Sequence, residues 1–459
     1  MKLWSYLKDA MLENHSQIIS EGKAEMTYEE VAIYAELFSR KLCGLKSCAI
    51  LCGSEMAGAI ALLSCFAAGV TAVPLSVRYG KAHSDKILDE IDPNAIISDI
   101  DGELTVIRIS DSAYKVPQKH PALIMCTSGT TGRPKGVMLS EDNILANVNS
   151  IADYFKIDQS DSILISRPLY HCAVITGEFI LSLINGTRIC FYSEKLNPKA
   201  LLDIISEKKI TVFCGTPTML EMMARYMRAK AECTLKKIGI SGESMSTSSA
   251  GRIVDAFGGA EIYYMYGLTE ASPRVCFLPP YLFLKYPYSV GYPIKSVDIK
   301  VIKPDGAEAG CFEEGVLWVK GPNVMLGYYN DPDKTAEVIR DGWLCTGDIA
   351  VIDAYGLMII RGRSDDLIIR GGINIYPQDV ESTLKADKRV KEALVYKINN
   401  PISGVSLGLK ISGDFYSTDD VRKMCLDRLP SFQVPSKIEL VDELPKNGTG
   451  KIIRRVKNA

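Results

Sequence analysis

Histidine is scarce in this chain, with four in 459 residues. The thirteen cysteines are scattered and form neither a CxxC pair nor a cluster with histidine, so no transition-metal centre is indicated. Their odd number, without a secretory leader, reads as free thiols in a reducing, cytoplasmic setting. The first residues, MKLWSYLKDAMLENHSQ, carry a charge in every short window and contain no apolar h-region. Charge of one sign is also lacking. The net charge is −2 and the C-terminal part is only mildly basic, which argues against a nucleic-acid or polyanion binder. No apolar run reaches membrane length. Met56 to Leu75 has no charge, but Gly69 and Pro74 interrupt it. Its helical part is about 12 residues, roughly 18 Å against about 30 Å of hydrocarbon. A buried helix leading into a strand fits better, and no transmembrane segment is expected. Internal repeats and low-complexity tracts are absent as well.

Hydrophobic residues at 47% and charged residues at 24% are ordinary for a globular chain, and the length calls for two or more compact units. Short apolar runs at Ser47–Cys52, Val70–Pro74, Ala122–Cys126, Ser162–Ser166, Arg188–Tyr192, Thr211–Cys214 and Lys237–Ile240 read as strands. Ala57–Ala68, Lys199–Lys208 and Thr218–Arg228 have helical spacing. The alternation predicts α/β layers around largely parallel sheets. From Val290 the texture changes to short strands with Gly and Pro turns, a small β-rich subdomain over about 290–363. After Arg363 a second pattern begins, with helices at Gln378–Leu384 and Asp419–Leu429 and strands at Val390–Lys397, Leu407–Ile411 and Ile438–Val441. The expected division is a large N-terminal part, 1–363, and a small mobile α+β domain, 364–459. They are joined by a hinge in GRSDDLIIRGG.

The strongest chemical signal is TSGTTGRPKG at Thr127–Gly136, directly after an apolar strand. Glycines let a backbone approach an anion closely; Ser128, Thr130 and Thr131 offer hydroxyl donors, and Lys135 adds charge. That is the inventory for holding a polyphosphate, and the spacing differs from a Walker A loop. The plain alternative is a polar Gly/Thr turn.

The loop closely resembles the phosphate loop of the adenylate-forming superfamily: acyl-CoA synthetases, peptide-synthetase adenylation domains and firefly-type luciferases. Further motifs follow in the family's order: PLYH at Pro168–His171, SGESM at Ser241–Met245, YGLTE at Tyr266–Glu270, TGD at Thr346–Asp348, GRSDD at Gly362–Asp366, GGINIYPQDVE at Gly371–Glu381 and PKNGTGK at Pro445–Lys451. The resemblance implies that Thr127, Ser128, Gly129, Thr130, Thr131, Gly132 and Lys135 hold the ATP phosphates. Gly242, Glu243, Ser244, Tyr266 and Gly267 would cradle adenine, and Thr269 would touch phosphate. Glu270 would hold Mg²⁺, a hard cation that wants oxygen ligands. Asp348 and Arg363 would take the ribose hydroxyls. Lys451, Glu270, Thr130 and His171 are the implied catalytic group. His171, Cys172, Val174, Ile175, Ser241, Gly242 and Gly267 would line the acid pocket. Asp365 would be the pivot, and Gly371, Gly372 and Asn374 would face the incoming thiol. A lone His after Tyr is equally readable as structural. The chain departs from the pattern in carrying Val174 three residues after this His, where the family commonly has Gly, and in its shorter N-terminal region.

The reaction so implied joins a carboxylate to AMP, releases pyrophosphate, and passes the acyl group to a thiol, with ATP and Mg²⁺ required. No acid stands in PLYHCAVITGEF where amino-acid-activating relatives hold an ammonium, and a buried unpaired ammonium is costly. Cys172–Ile175 instead suggest an apolar acid, aromatic or medium-chain. CoA is the expected acceptor. The alternatives are an acid:carrier-protein ligase or stand-alone adenylation enzyme delivering to phosphopantetheine, and a non-catalytic nucleotide-binding protein of the same fold. A luciferase-like oxygenase would need a specialised pocket.

Overall fold

Runs of four to seven residues rich in Ile, Val and Cys, most of them wholly buried, build the sheets that organise this molecule. The computed structural model describes residues 2–109, 120–128, 134–227, 233–370, 373–400, 404–445 and 452. Among these, one sheet has a parallel centre made of Glu261–Gly267, Lys237–Ser241, Val212–Gly215, Ser162–Ile165, Arg188–Phe191 and Ile18–Glu21. Antiparallel strands close it, with Arg274–Leu278 and Tyr292–Pro293 on one edge and Ala24–Thr27 on the other. A second sheet has Leu123–Ser128, Thr71–Pro74, Ser47–Ile50 and Ala95–Ile100 parallel at its centre. Its edges are antiparallel: Glu103–Arg108 on one side, Pro134–Leu139 and Gly327–Tyr328 on the other. Parallel strands buried on both faces read as continuous apolar runs, which is why the sequence exposes them so clearly.

The chargeless stretch after Met56 is a buried helix, Glu55–Ala68. Ser54 caps its start by accepting from the Ala57 N–H, and Gly69 ends it at φ 66°, the left-handed conformation that favours glycine. No described helix is long and apolar enough to cross a membrane. Expected and observed limits agree closely for most elements. The expected helix Thr218–Arg228 is shorter, Pro217–Ala224, capped by the Thr216 side chain with Pro217 in its first turn.

From residue 298 the texture is antiparallel. Asp298–Ile302, Gly315–Lys320, Trp343–Ile352, Ile339–Arg340 and Met358–Arg363 form one sheet. Beyond it lie a short hairpin, Ile368–Arg370 with Ile373–Ile375, and a three-stranded sheet of Val390–Asn400, Gly404–Gly413 and Lys437–Leu440 with helices Pro377–Lys385 and Thr418–Arg428. Ile368, Val380, Leu384, Val395, Leu409 and Val421 belong to an apolar core drawn wholly from residues after 367.

Candidate active site

The strand Leu123–Ser128 turns back as Pro134–Leu139, with Thr127 opposite Lys135 and Ser128 opposite Pro134. Gly129, Thr130, Thr131 and Gly132 between them lie outside the described residues, as does the side chain of Ser128. Gly136 is required by packing: a Cβ there would meet Ile124 and Ile91 at 2.9 Å and Tyr329 at 3.1 Å. The Lys135 ammonium stands 5.3 Å from the centre of the Tyr328 ring, and the Tyr328 hydroxyl donates to Glu270 Oε1 at 2.9 Å. Burial and the Glu270 carboxylate drive the Tyr328 phenol well above its ordinary value, so it remains a donor. Lys135, Tyr328 and Glu270 therefore form a row linking the phosphate-loop strand to the YGLTE turn. Tyr328 went unremarked in the sequence. Its only local signal is the Tyr-Tyr pair ahead of the Asn-Asp-Pro turn.

Asp348 and Arg363 face each other across neighbouring strands. Both Asp348 oxygens are engaged: Oδ2 by the Tyr266 hydroxyl, Oδ1 by Arg363 Nη1 at 3.2 Å. The same guanidinium nitrogen donates to the Thr346 carbonyl at 2.9 Å. Burial and the adjacent Asp348 charge push the Tyr266 phenol well above its usual range. A carboxylate so held on both oxygens is fixed in place.

Strand Lys237–Ser241 ends at the buried Ser241 and passes into Gly242 at φ 94°. Glu243 accepts from the Thr218 hydroxyl at 2.7 Å, its carbonyl accepts from the Tyr264 hydroxyl at 3.0 Å, and Ser244 is exposed. Gly267 and Thr269 lie alongside, Gly267 at the end of its strand opposite Arg274 and Thr269 in the short turn that carries Glu270.

His171 precedes the helical segment Cys172–Val174, which continues as a stretch of π-helix, Ile175–Ile180. Its ring lies 4.0 Å from that of Tyr170, and Nε2 is buried without a partner among the described residues. Burial first, then Arg167 and Arg78, holds its pKa down to about 3, so the imidazole is neutral. Cys172 is buried and its thiol is pushed up to about 12, which makes it a small apolar side chain. Val174 and Ile175 are fully buried in the main core, whereas His171 and Ala173 keep partial exposure.

The sequence also concealed a buried ionic cluster behind this turn. Arg167 Nη2 pairs with Glu178 Oε1 at 2.5 Å, and Arg274 is buried nearby. The hinge candidate Asp365 sits in a single turn, Ser364–Asp366, between the strands Met358–Arg363 and Ile368–Arg370. Asn374 is exposed, while Gly371, Gly372 and Lys451 lie outside the described residues. No cluster of three or more His, Cys, Asp or Glu suited to a metal occurs among the described residues. A cation here would depend on Glu270 and on ligand phosphates, the usual arrangement for Mg²⁺.

Known proteins resemble this chain over nearly its whole length. A family profile described as AMP-binding enzyme matches residues 9–329, and one described as AMP-binding enzyme C-terminal domain matches residues 379–451. The chain is 29% identical to a feruloyl-CoA synthase of Amycolatopsis sp, over 98% of this chain and 96% of that protein. It is 30% identical to a 2-succinylbenzoate–CoA ligase of Bacillus velezensis, again over 98% and 96%. Among solved structures, the O-succinylbenzoate CoA synthetase of Bacillus subtilis in complex with ATP and magnesium ion superposes with TM-score 0.85 at 26% identity, covering 98% of both chains.

Proposed function

The chain belongs to the AMP-binding enzyme family, and from that premise we infer the following division of labour among its residues. The protein is an ATP-dependent, AMP-forming acid–thiol ligase. A carboxylate oxygen attacks the α-phosphorus of ATP and pyrophosphate leaves; a thiol sulfur then attacks the acyl carbonyl, releasing AMP and a proton. Both steps bring negative charge together, so catalysis is largely positioning and electrostatic stabilisation.

In this reading Thr127, Lys135 and the loop between them grip the phosphates, and Tyr266, Asp348 and Arg363 hold the ribose edge. Gly242 and Gly267 give adenine and acid a close backbone approach. Glu270, oriented by Tyr328, is the residue to hold Mg²⁺, which supplies charge neutralisation when bound. Lys451 contributes to the first step and Asn374 to the second, with Asp365 between them as pivot. The division into 1–363 and 364–459 is supported by the separate apolar core after residue 367.

We assign CoA as acceptor and an aromatic acid as substrate. The names of the two relatives matched end to end support both assignments. The observation that carries the reading is the Lys135–Tyr328–Glu270 row, which joins an anion-gripping loop to a hard-cation ligand. Pyrophosphate release should require both an aromatic acid and ATP, and AMP should accumulate with thioester only when CoA is added. Release independent of added acid, or equal turnover with a zwitterionic α-amino acid, would overturn it.

A further inference from the structure

Two guanidinium groups and one carboxylate are shut away from water beside the acid site. Arg167 is 8% exposed, Arg274 2% and Glu178 0%. Arg167 takes one Glu178 oxygen at 2.5 Å. The other Glu178 oxygen and the Nε atoms of both arginines have no hydrogen-bond partner among the described residues. The trio carries one positive charge more than it neutralises, and buried cations are normally paired.

Arg274 is held where a ligand could complete it. Asn147 accepts from its backbone N–H at 3.2 Å and donates to its carbonyl at 2.9 Å, fixing the strand. Its register partner is Gly267, its charge is felt by Cys172, and its side chain bonds the Tyr154 hydroxyl, which leaves Nε to be completed. Gly177 presents no side chain to it: a Cβ there would stand 3.4 Å from Arg274 Nη2. Arg274 thus joins the Gly267 strand, through its backbone, to the helical segment after His171, through its guanidinium, and these are the two walls assigned to the acid.

We propose that Arg274 is a specificity-determining residue of the acid pocket, selecting aromatic acids whose ring bears an acceptor oxygen, hydroxyl or carboxylate, remote from the reacting carboxyl. This rests on the ligase reading above. The fork supplies planar donors that an acceptor oxygen satisfies and a bare ring leaves unpaired, and sites built to hydrogen-bond a substrate reject the analogue lacking the group.

The test compares cinnamate, 4-hydroxycinnamate and 4-carboxycinnamate, by kcat/KM for thioester formation and by calorimetric binding. The wild-type protein should favour at least one oxygenated acid over cinnamate by about tenfold or more, and which one it favours identifies the acceptor. In Arg274→Met that preference should collapse, with Arg274→Lys restoring part of it for the carboxylate. Thermal melts identify any variant that fails to fold. Equal wild-type treatment of the three acids, or a proportional loss for all three in folded Arg274→Met, overturns the proposal. Absence of thioester with every acid would sink the ligase reading, and the binding ratios would still decide the role of Arg274.

Discussion

At the scale of single residues, the site depends on hydroxyls that hold carboxylates. Tyr328→Phe removes the donor to Glu270 while leaving the ring beneath Lys135. A hydrogen bond to a charged group is worth about 1.5–3 kcal/mol, so adenylation should slow about 10- to 100-fold. The requirement for Mg²⁺ and ATP should rise more than that for the acid, measured by ATP–pyrophosphate exchange. An unchanged metal titration would show that Tyr328 does not orient Glu270. His171 makes a different prediction, through pH. Its folded pKa is held near 3, below the ordinary 6.5, so between those values the unfolded chain binds a proton that the folded chain does not. Stability contributed by the neutral ring is therefore complete above about pH 6.5 and is lost as pH falls. At pH 5 the loss is up to about 2 kcal/mol relative to neutral pH. Urea unfolding at pH 7.5 and 5 should show a drop in the wild-type protein larger by that amount than in His171→Gln. Equal drops would mean that the ring does not titrate this way.

At the scale of elements, the antiparallel return Pro134–Leu139 depends on one glycine. Gly136→Ala forces a methyl against Ile124, Ile91 and Tyr329, and overpacking of this kind costs about 1–3 kcal/mol. The urea midpoint should fall, and the KM for ATP should rise because Lys135 is the preceding residue. A fall in stability with normal ATP use would separate the strand from the site. This strand also marks where the sequence ceased to be legible. Parallel strands such as Ser162–Ile165 and Val212–Gly215 are unbroken apolar runs bounded by caps, so composition alone located them. Pro134–Leu139 begins with proline, lysine and glycine, and it is a strand because it pairs with Leu123–Ser128 across the loop, a long-range fact. The site divides in the same way. Asp348, Arg363 and Glu270 stand inside contiguous motifs, whereas Tyr328 lies 58 residues from Glu270, and Arg274 lies 97 residues beyond Gly177. Only folding brings such partners together, and a single buried arginine in an apolar strand carries no periodic signal.

At the scale of the whole molecule, the proposed roles have Lys451 and the thiol both reaching the adenylate, from arrangements that one geometry can hardly supply together. Lys451→Ala should lower adenylate formation by about 10²-fold or more and leave thioester formation from supplied acyl-adenylate near normal. Asp365→Pro should do the reverse, since proline fixes φ near −65° in a turn that must reshape for the segment to swing. Single-turnover assays of each half-reaction separate the two, and equal losses in both halves for either variant would end the two-arrangement account. The proposed rotation would bear on the contacts that fasten the C-terminal segment. Tyr376 donates to Glu314 at 2.6 Å, Arg361 reaches Asp379 at 3.8 Å, and the Arg361 guanidinium lies 6.0 Å from the Tyr376 ring centre. The Arg361–Asp379 pair is half-exposed and worth at most about 1 kcal/mol, whereas Tyr376 is buried and its bond to the Glu314 carboxylate is of the kind worth about 1.5–3 kcal/mol. Water and salt can replace the ion pair, so the fastening is part clasp, at Arg361–Asp379, and part latch, at the buried Tyr376. In the proposed cycle, ionic strength would then act as a throttle through the ion pair, adjusting how long each pose lasts without touching the atoms that react.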